Sequence, residues 1–258
     1  MIRSRPWTGF LLVCVLLGCH SAGRAKGAGE GEAVPPLSRQ QIEQIVHDYL
    51  LREPEVLFQA SQEYERRRRE KAVVDARHAV VSSRATLTDA AAPSIGSQTP
   101  KVTLVEFFDF RCVYCRRMVP IIDQIVKENP DIRVVLKDHP ILGPDSLTAS
   151  TAVLAARRQR PDRYYDLYQA LMRSNDLSEP SVIGIAGSLG LDTDQLRRDM
   201  GSAEVKAELE ANGALAKSLG VTGTPAFVLG DTVIASSLSK PDLARRIEEV
   251  RRSCVGTC

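Results

Sequence analysis

The sequence lacks an excess of charge of either sign. Its 258 residues include 34 Lys and Arg and 32 Asp and Glu, which gives a formal net charge of +2. A chain this balanced offers no electrostatic reason to expect nucleic acid or a strongly acidic partner. One basic run, residues 66–71, has the acidic neighbours and the helical setting of a solvated helix face. We therefore expect no nucleic-acid binding.

Histidine is scarce, with four residues in the whole chain. Three of them, His20, His47 and His78, are far apart and lack the spacing of metal ligands. The sequence therefore predicts no metal site built on histidine. It also shows no internal repeat.

Long apolar runs are missing beyond the N-terminus. There, Arg3 and Arg5 precede the apolar residues 9–17, a run too short to span a membrane but suited to a signal peptide. The run ends in Leu-Leu-Gly-Cys at Cys19, which resembles the box of bacterial lipoproteins, so we expect Cys19 to carry lipid. Cleavage by an ordinary signal peptidase within residues 21–28 is the alternative.

The mature chain is thus expected on the periplasmic side of a bacterial cell envelope, tethered to a membrane through Cys19 after removal of a lipoprotein-type signal peptide, residues 1–19. Residues 20–37, rich in Gly, Ala and Pro, predict a flexible spacer. Four of the six cysteines then remain for redox or structural work: Cys112, Cys115, Cys254 and Cys258. An even number suits an oxidising compartment.

The most informative motif is Cys112-Val113-Tyr114-Cys115, which follows an apolar strand pattern and precedes a helical one. Two such thiols can exchange with a partner's disulfide, and the start of a helix lowers the pKa of the first thiol. Half of a zinc site or a structural bridge are the alternatives. The strand-to-helix setting favours a redox pair.

Glu106 interrupts the otherwise apolar strand before this motif. Burying a carboxylate is costly, so a purpose is expected, and its pKa should be raised. The alternative is that Glu106 lies at an exposed strand edge.

Elsewhere the patterns predict an α/β domain preceded by a helical arm, residues 38–83. Ser38 and Gln41 form a capping box, and one face of the first arm helix is apolar. A connector, residues 84–100, marks the domain boundary, and the domain extends to residue 253. Its predicted elements are a strand at 102–108, a helix at 112–128, a strand at 132–137, a helical stretch at 145–217, strands at 226–229 and 232–235, and a helix at 240–252.

This order resembles the DsbA-like branch of the thioredoxin superfamily over about residues 100–252. The most specific segments are residues 105–115, around the cysteine pair, and residues 221–227, with Gly223-Thr224-Pro225. The resemblance implies a thioredoxin fold with a helical insertion. The arm resembles the N-terminal extension of ScsC-type proteins, which implies self-association; folding back onto its own domain is the alternative.

The resemblance also implies roles for individual residues. Cys112 would be the nucleophile, Cys115 the resolving thiol, and Glu106 the buried acid that relays a proton. Pro225 would be a cis-proline beside the cysteines, leaving the backbone at Thr224 to pair with an extended substrate. Val113 and Tyr114 complete the expected substrate-binding set, and the Cys112–Cys115 disulfide replaces any cofactor.

The expected function is thiol-disulfide exchange with unfolded or misoxidised exported proteins, with recycling by a membrane redox partner. Tyr114 carries no positive charge, so we expect a site less oxidising than Cys-Pro-His-Cys; oxidase and isomerase or reductase work both stay open. A copper-binding envelope chaperone that uses the same thiols is the alternative. For Cys254 and Cys258 we expect an accessory disulfide, against an electron shuttle or metal ligands.

Overall fold

The computed structural model describes residues 36–253. The expectations for the signal peptide, the spacer, Cys19, Cys254 and Cys258 fall outside these residues. The chain divides into two compact units between Phe58 and Gln59. Within the described range, no helix is both long and apolar enough to cross a membrane.

The N-terminal unit contains helix α1 (Arg39–Arg52). The predicted capping box is confirmed, because the Gln41 backbone N–H donates to Ser38 Oγ (3.3 Å) and the Ser38 N–H donates to Gln41 Oε1 (2.9 Å). No residue of α1 is buried. Its apolar face is exposed: Ile42, Ile45, Val46 and Tyr49.

Helix α2 (Glu55–Ser82) crosses the division between the units, and its C-terminal end belongs to the second one. Val80 on α2 is buried in a core cluster that includes Phe107 and Leu219. The last turns of the predicted arm therefore pack on the core of the second unit.

The second unit is built on a five-stranded mixed sheet in the order β1-β3-β2-β4-β5. The strands are β1 (Ser94–Gly96), β2 (Val102–Phe108), β3 (Ile132–Asp138), β4 (Ala226–Leu229) and β5 (Thr232–Ile234). β2 is central, with β3 parallel on one side and β4 antiparallel on the other. Every residue of β2 and β3 is buried, as expected for strands covered on both faces.

Helices cover the two faces of this sheet. They are α3 (Arg84–Leu87), α4 (Val113–Glu128), α5 (Pro144–Gln159), α6 (Tyr164–Arg173), α7 (Glu179–Ser188), α8 (Thr193–Met200), α9 (Ala203–Ser218) and α10 (Lys240–Ser253). Alternate residues of β2 enter different core clusters: Leu104 and Phe108 join the larger one, Val105 and Phe107 the smaller one. Helices α5 to α9 form the insertion predicted at residues 145–217.

The connector predicted at residues 84–100 is partly structured, which the sequence did not indicate. It contains α3 and β1, and β1 pairs antiparallel with β3. Besides this backbone pairing, the guanidinium of Arg133 on β3 donates to the carbonyl oxygens of Thr88, Asp89, Ala90 and Ala92 and to Ser94 Oγ. One distant side chain thus contacts most of a segment whose own composition is typical of a loop.

Candidate active site

The cysteine pair lies at the turn between β2 and α4. Cys112 is the N-cap of α4, with an extended backbone, and its sulfur accepts a hydrogen bond from the Cys115 N–H (3.4 Å). The turn is closed by the Cys112 N–H, which donates to the Asp109 carbonyl (3.1 Å). Cys112 keeps 5% of its surface exposed, whereas Cys115 is fully buried. Only the first sulfur is therefore placed to meet another molecule.

The loop before β4 lies beside Cys112, although Thr224 in this loop is 112 residues further along the chain. The Cys112 sulfur lies 3.2 Å from the Thr224 carbonyl oxygen. The Thr224–Pro225 peptide bond is cis. Because β4 pairs directly with β2, this loop lies beside the end of the strand that leads to the cysteines. The structure thus brings together the two segments that carry the DsbA-like resemblance.

The two thiols are electrostatically different. Hydrogen bonds from the Cys115 side chain, the Thr224 side chain and the backbone at the start of α4 lower the pKa of Cys112 to about 5, against the opposing effect of burial. Burial, followed by the hydrogen bond to Cys112 and the charge of Glu106, raises the pKa of Cys115 far above its usual range. At neutral pH the Cys112 sulfur is a thiolate and the Cys115 sulfur a thiol.

Glu106 lies in the middle of the central strand, opposite Leu136 of β3 and Phe227 of β4. It is fully buried, and neither carboxyl oxygen makes a hydrogen bond. Burial, and secondarily the charge of Cys112, raises its pKa to about 8. The predicted burial is confirmed and the exposed-edge alternative is wrong. A carboxyl with this pKa can take up or release a proton near neutral pH.

Asp109 is a site residue that the sequence analysis missed. Its buried carboxylate accepts four hydrogen bonds: from the Arg111 N–H (2.7 Å) and the Ser146 hydroxyl (2.7 Å) on one oxygen, and from the Ile141 N–H (2.8 Å) and Leu142 N–H (3.0 Å) on the other. It therefore ties the turn before Cys112 to the loop before α5. A polar residue directly after an apolar strand was the available signal.

The surface around Cys112 is partly apolar. Val113 and Tyr114 expose 56% and 57% of their surface. A groove of about 330 Å³ runs beside them and is lined by Tyr114, Thr222, Gly223, Thr224, Pro225, Ala235, Ser236 and Ser237. All the expected catalytic and substrate-contacting residues are thus close to Cys112. The two serines were not singled out from the sequence, because they belong to a loop without a motif.

A second buried acid, Asp138, ends strand β3. Neither of its oxygens makes a hydrogen bond, and burial raises its pKa to about 8.

Among residues 36–253, no cluster of three or more His, Cys, Asp or Glu side chains is arranged to hold a metal ion. Within these residues, Cys112 and Cys115 have no third side chain of this kind grouped with them.

Comparisons with known proteins match both parts of the chain. Residues 103–248 match the family model described as DSBA-like thioredoxin domain, and residues 39–71 match that of the copper resistance protein ScsC N-terminal domain. A thioredoxin-like oxidoreductase from Silicibacter pomeroyi is 39% identical, with 66% of this chain and 99% of that chain covered and a TM-score of 0.63.

Two further relatives extend this picture. Proteus mirabilis ScsC in a transitional conformation is 30% identical, covers 83% of this chain and 97% of its own, and has a TM-score of 0.63. The thiol:disulfide interchange protein DsbA of Bordetella parapertussis is 29% identical over 150 residues, which are 56% of this chain and 71% of the relative. Both resemblances drawn from the sequence, and the fold class with its helical insertion and N-terminal helical region, are confirmed.

Proposed function

Because the chain belongs to the DSBA-like thioredoxin family and carries an ScsC N-terminal domain ahead of it, we propose that it is a cell-envelope thiol-disulfide oxidoreductase acting on exported proteins through Cys112 and Cys115. The main support for the proposal is the environment of the Cys112 sulfur. The sulfur sits at a helix start, its pKa is lowered to about 5, and it contacts the Thr224 main chain, where an extended substrate can pair.

In the oxidising direction, a substrate thiolate attacks Sγ of Cys112 in the Cys112–Cys115 disulfide. The Cys112–Cys115 bond breaks, the mixed disulfide forms, and Cys115 leaves as a thiolate that takes a proton. A second substrate thiol, once deprotonated, then attacks the substrate sulfur of the mixed disulfide and releases Cys112 as a thiolate. The substrate has lost two electrons and the protein has gained them.

In the isomerising or reducing direction, the Cys112 thiolate attacks a substrate disulfide. Cys115 must then lose its proton before it attacks Cys112 and releases the substrate. Glu106 is assigned this proton, because it is buried, has a pKa of about 8 and acts electrostatically on Cys115. The same carboxyl returns the proton in the oxidising direction.

The balance between these directions depends on how far Cys112 is stabilised as a thiolate. A pKa of about 5 lies between about 3.5 in a strong oxidant and about 7 in a reductant of this superfamily. This supports an intermediate reduction potential and work that includes disulfide shuffling. The absence of a charged side chain at Tyr114 is consistent with this assignment.

The proposal extends to location and partners. The expected position is the periplasmic side of the envelope, with a lipid anchor at Cys19 and a membrane redox partner that recycles the cysteine pair. The exposed apolar face of α1 supports self-association through the N-terminal helices, because such a face gains free energy when a second copy covers it.

The test is the equilibrium of the Cys112–Cys115 pair with glutathione, measured on protein in which Cys254 and Cys258 are replaced by Ser. We expect a reduction potential near about −180 mV, typical of an isomerase. A value near about −120 mV would make the protein a strong oxidant and overturn the assignment of direction. Absence of reversible exchange would overturn the proposed function.

A second candidate function is copper handling, which the description of the matching N-terminal model suggests. Cys112 and Cys115 are soft ligands of the kind that Cu(I) prefers. This function predicts tight Cu(I) retention that Cys112→Ser abolishes, together with slow disulfide exchange. Fast exchange with weak Cu(I) binding would exclude it.

A further inference from the structure

A polar cleft borders the cysteine turn on the side of Arg111. It has a volume of about 230 Å³ and is lined by Arg111, Arg116, Asp145, Asn175 and Leu177; we call it the arginine cleft. Arg111 directly precedes Cys112, and Arg116 directly follows Cys115. The cleft therefore shares no lining residue with the groove at Thr224, and its two arginines flank the Cys112–Cys115 motif.

The lining of the arginine cleft holds one more basic than acidic side chain, and the neighbouring buried carboxyl of Asp109 is occupied by four hydrogen-bond donors. Arg111 faces Asp145, with 3.4 Å between Nη1 and Oδ2. Arg116 donates to two neutral acceptors, the Phe110 carbonyl from Nε (2.9 Å) and Asn175 Oδ1 from Nη1 (3.4 Å). Among the residues that the structure describes, Arg116 has no carboxylate within ion-pair distance. Two guanidinium groups are thus balanced by one acid.

The geometry of Arg116 favours a planar anion. Its backbone and amide contacts hold the guanidinium in place, so little side-chain entropy is lost when a ligand binds. Guanidinium groups bind carboxylates through paired N–H donors, and the space in the cleft suits an acidic side chain. The wall is otherwise polar except for Leu177.

We propose that the arginine cleft is a carboxylate subsite that favours disulfides flanked by an acidic side chain close to the reacting cysteine. The closeness follows from the lining, because Arg111 is the residue before Cys112 and Arg116 the residue after Cys115. This inference rests on the proposed function, since the acid is placed by a substrate that reacts at Cys112.

The test uses the reduced protein and three short peptides, each with one cysteine capped as a mixed disulfide with 2-mercaptoethanol. The peptides differ only in the residue before the cysteine, which is Glu, Gln or Lys. Exchange oxidises Cys112 and Cys115 to their disulfide and releases the peptide thiol and 2-mercaptoethanol, each with its proton. Acid quenching and mass spectrometry follow the rate of protein oxidation.

We expect the Glu peptide to react about fivefold faster than the Lys peptide at low salt, as for a solvent-exposed ion pair, and the ratio to approach one at high salt. Arg116→Gln should reduce this ratio by more than half, whereas Asp145→Asn should increase it, because a competing carboxylate is removed. Arg198→Gln on α8 is the matched control, with the same charge change outside the cleft, and should leave the ratio unchanged.

The outcomes separate this inference from the function on which it rests. Equal rates for the three peptides, with no effect of Asp145→Asn, would overturn the carboxylate subsite while leaving disulfide exchange in place. Failure of the neutral Gln peptide to react at all would overturn the proposed function. Asp145→Asn keeps the test decisive if Arg116→Gln does not fold, because it leaves both arginines intact.

Discussion

At the scale of single residues, the site depends on two carboxyl groups that behave in opposite ways. Glu106 has no hydrogen-bond partner, and burial raises its pKa to about 8. Asp109, three residues later, is equally buried but accepts four hydrogen bonds. The first is placed to exchange a proton, and the second is placed to hold two loops together.

Glu106→Gln should slow the attack of Cys115 on the mixed disulfide by about 100-fold, because the amide cannot take up the proton. In the parent protein this step should accelerate as the pH rises through about 8, where Glu106 becomes ionised; the variant should show no such rise. Rapid quenching and mass spectrometry of the mixed disulfide measure both effects. Glu179→Gln, at an exposed position, is the control. An unchanged rate and pH profile would remove Glu106 from the mechanism.

Asp109→Asn should lower the free energy of unfolding by about 1–3 kcal/mol. Asparagine has one acceptor oxygen, so its NH₂ group must face N–H or O–H donors, and one of the two loops is released. Urea unfolding measures the loss. Ser146→Ala is the matched control, because it leaves the carboxylate and its backbone N–H donors intact, and it should cost less. Unchanged stability of Asp109→Asn would show that its hydrogen bonds do not hold the two loops together.

At the scale of elements, β2 and β3 explain why the site is where it is. Both strands are buried throughout, so another molecule can reach them only at their ends. The turn after β2 carries Cys112 at the start of α4. Edge strand β1 pairs with β3 and is also contacted by the side chain of Arg133.

Arg133→Met should lower the free energy of unfolding by about 2–4 kcal/mol, because several carbonyl oxygens lose their donor. The loss should be concentrated in the segment that Arg133 contacts, residues 88–96. Hydrogen exchange, read as backbone protection in that segment, and urea unfolding provide the measurements. Arg198→Met, at an exposed site, is the control. Unchanged protection of residues 88–96 would show that β1 is ordered without Arg133.

At the scale of the whole molecule, two features set conditions for stability and assembly. Burial raises the pKa of two fully buried acids, Glu106 and Asp138, above their ordinary values. The apolar face of α1 is exposed in the described chain. The first predicts a response to pH, and the second a response to protein concentration.

A carboxyl group whose pKa is raised by folding stabilises the folded state fully at pH values below its pKa in the unfolded chain. This contribution is lost as the pH rises through its pKa in the folded chain. For Asp138 the window is from about 4 to about 8. Asp138→Asn should therefore gain about 3 kcal/mol relative to the parent between pH 5 and pH 8. Urea unfolding of the disulfide form at both values measures the difference. Asp194→Asn is the exposed control. A difference that does not vary with pH would show that Asp138 is not a buried acid.

Self-association should make the purified protein heavier in solution than its 28.3 kDa chain. Ile45→Glu, in the middle of the exposed face of α1, should shift it to a monomer because a charge would have to be buried in the contact. Light scattering after gel filtration gives the mass. Gln40→Glu, on the opposite side of the same helix, is the matched control. A monomeric parent protein, or an Ile45→Glu variant that stays assembled, would contradict this prediction.

The sequence by itself determined the order of the main elements from residue 102 onward, the place of Cys112 and Cys115 at a strand-to-helix turn, and the strand position of Glu106. These features are local: apolar periodicity, a capping pair at Ser38 and a Cys-x-x-Cys at a strand-to-helix turn are each readable within a few residues. The motif at Thr224 was also visible, although its place beside Cys112 came from resemblance rather than from spacing.

Tertiary structure decided what depends on contacts between distant residues. The Thr224 carbonyl meets a sulfur 112 residues away, Arg133 contacts a segment about 40 residues before it, and Asp109 finds three of its four donors more than 30 residues later. Hydrogen bonds of this kind leave no periodic trace, because each needs one side chain and any backbone group that the fold brings to it. The order of the connector and the charge of the arginine cleft therefore emerged only when the chain was folded.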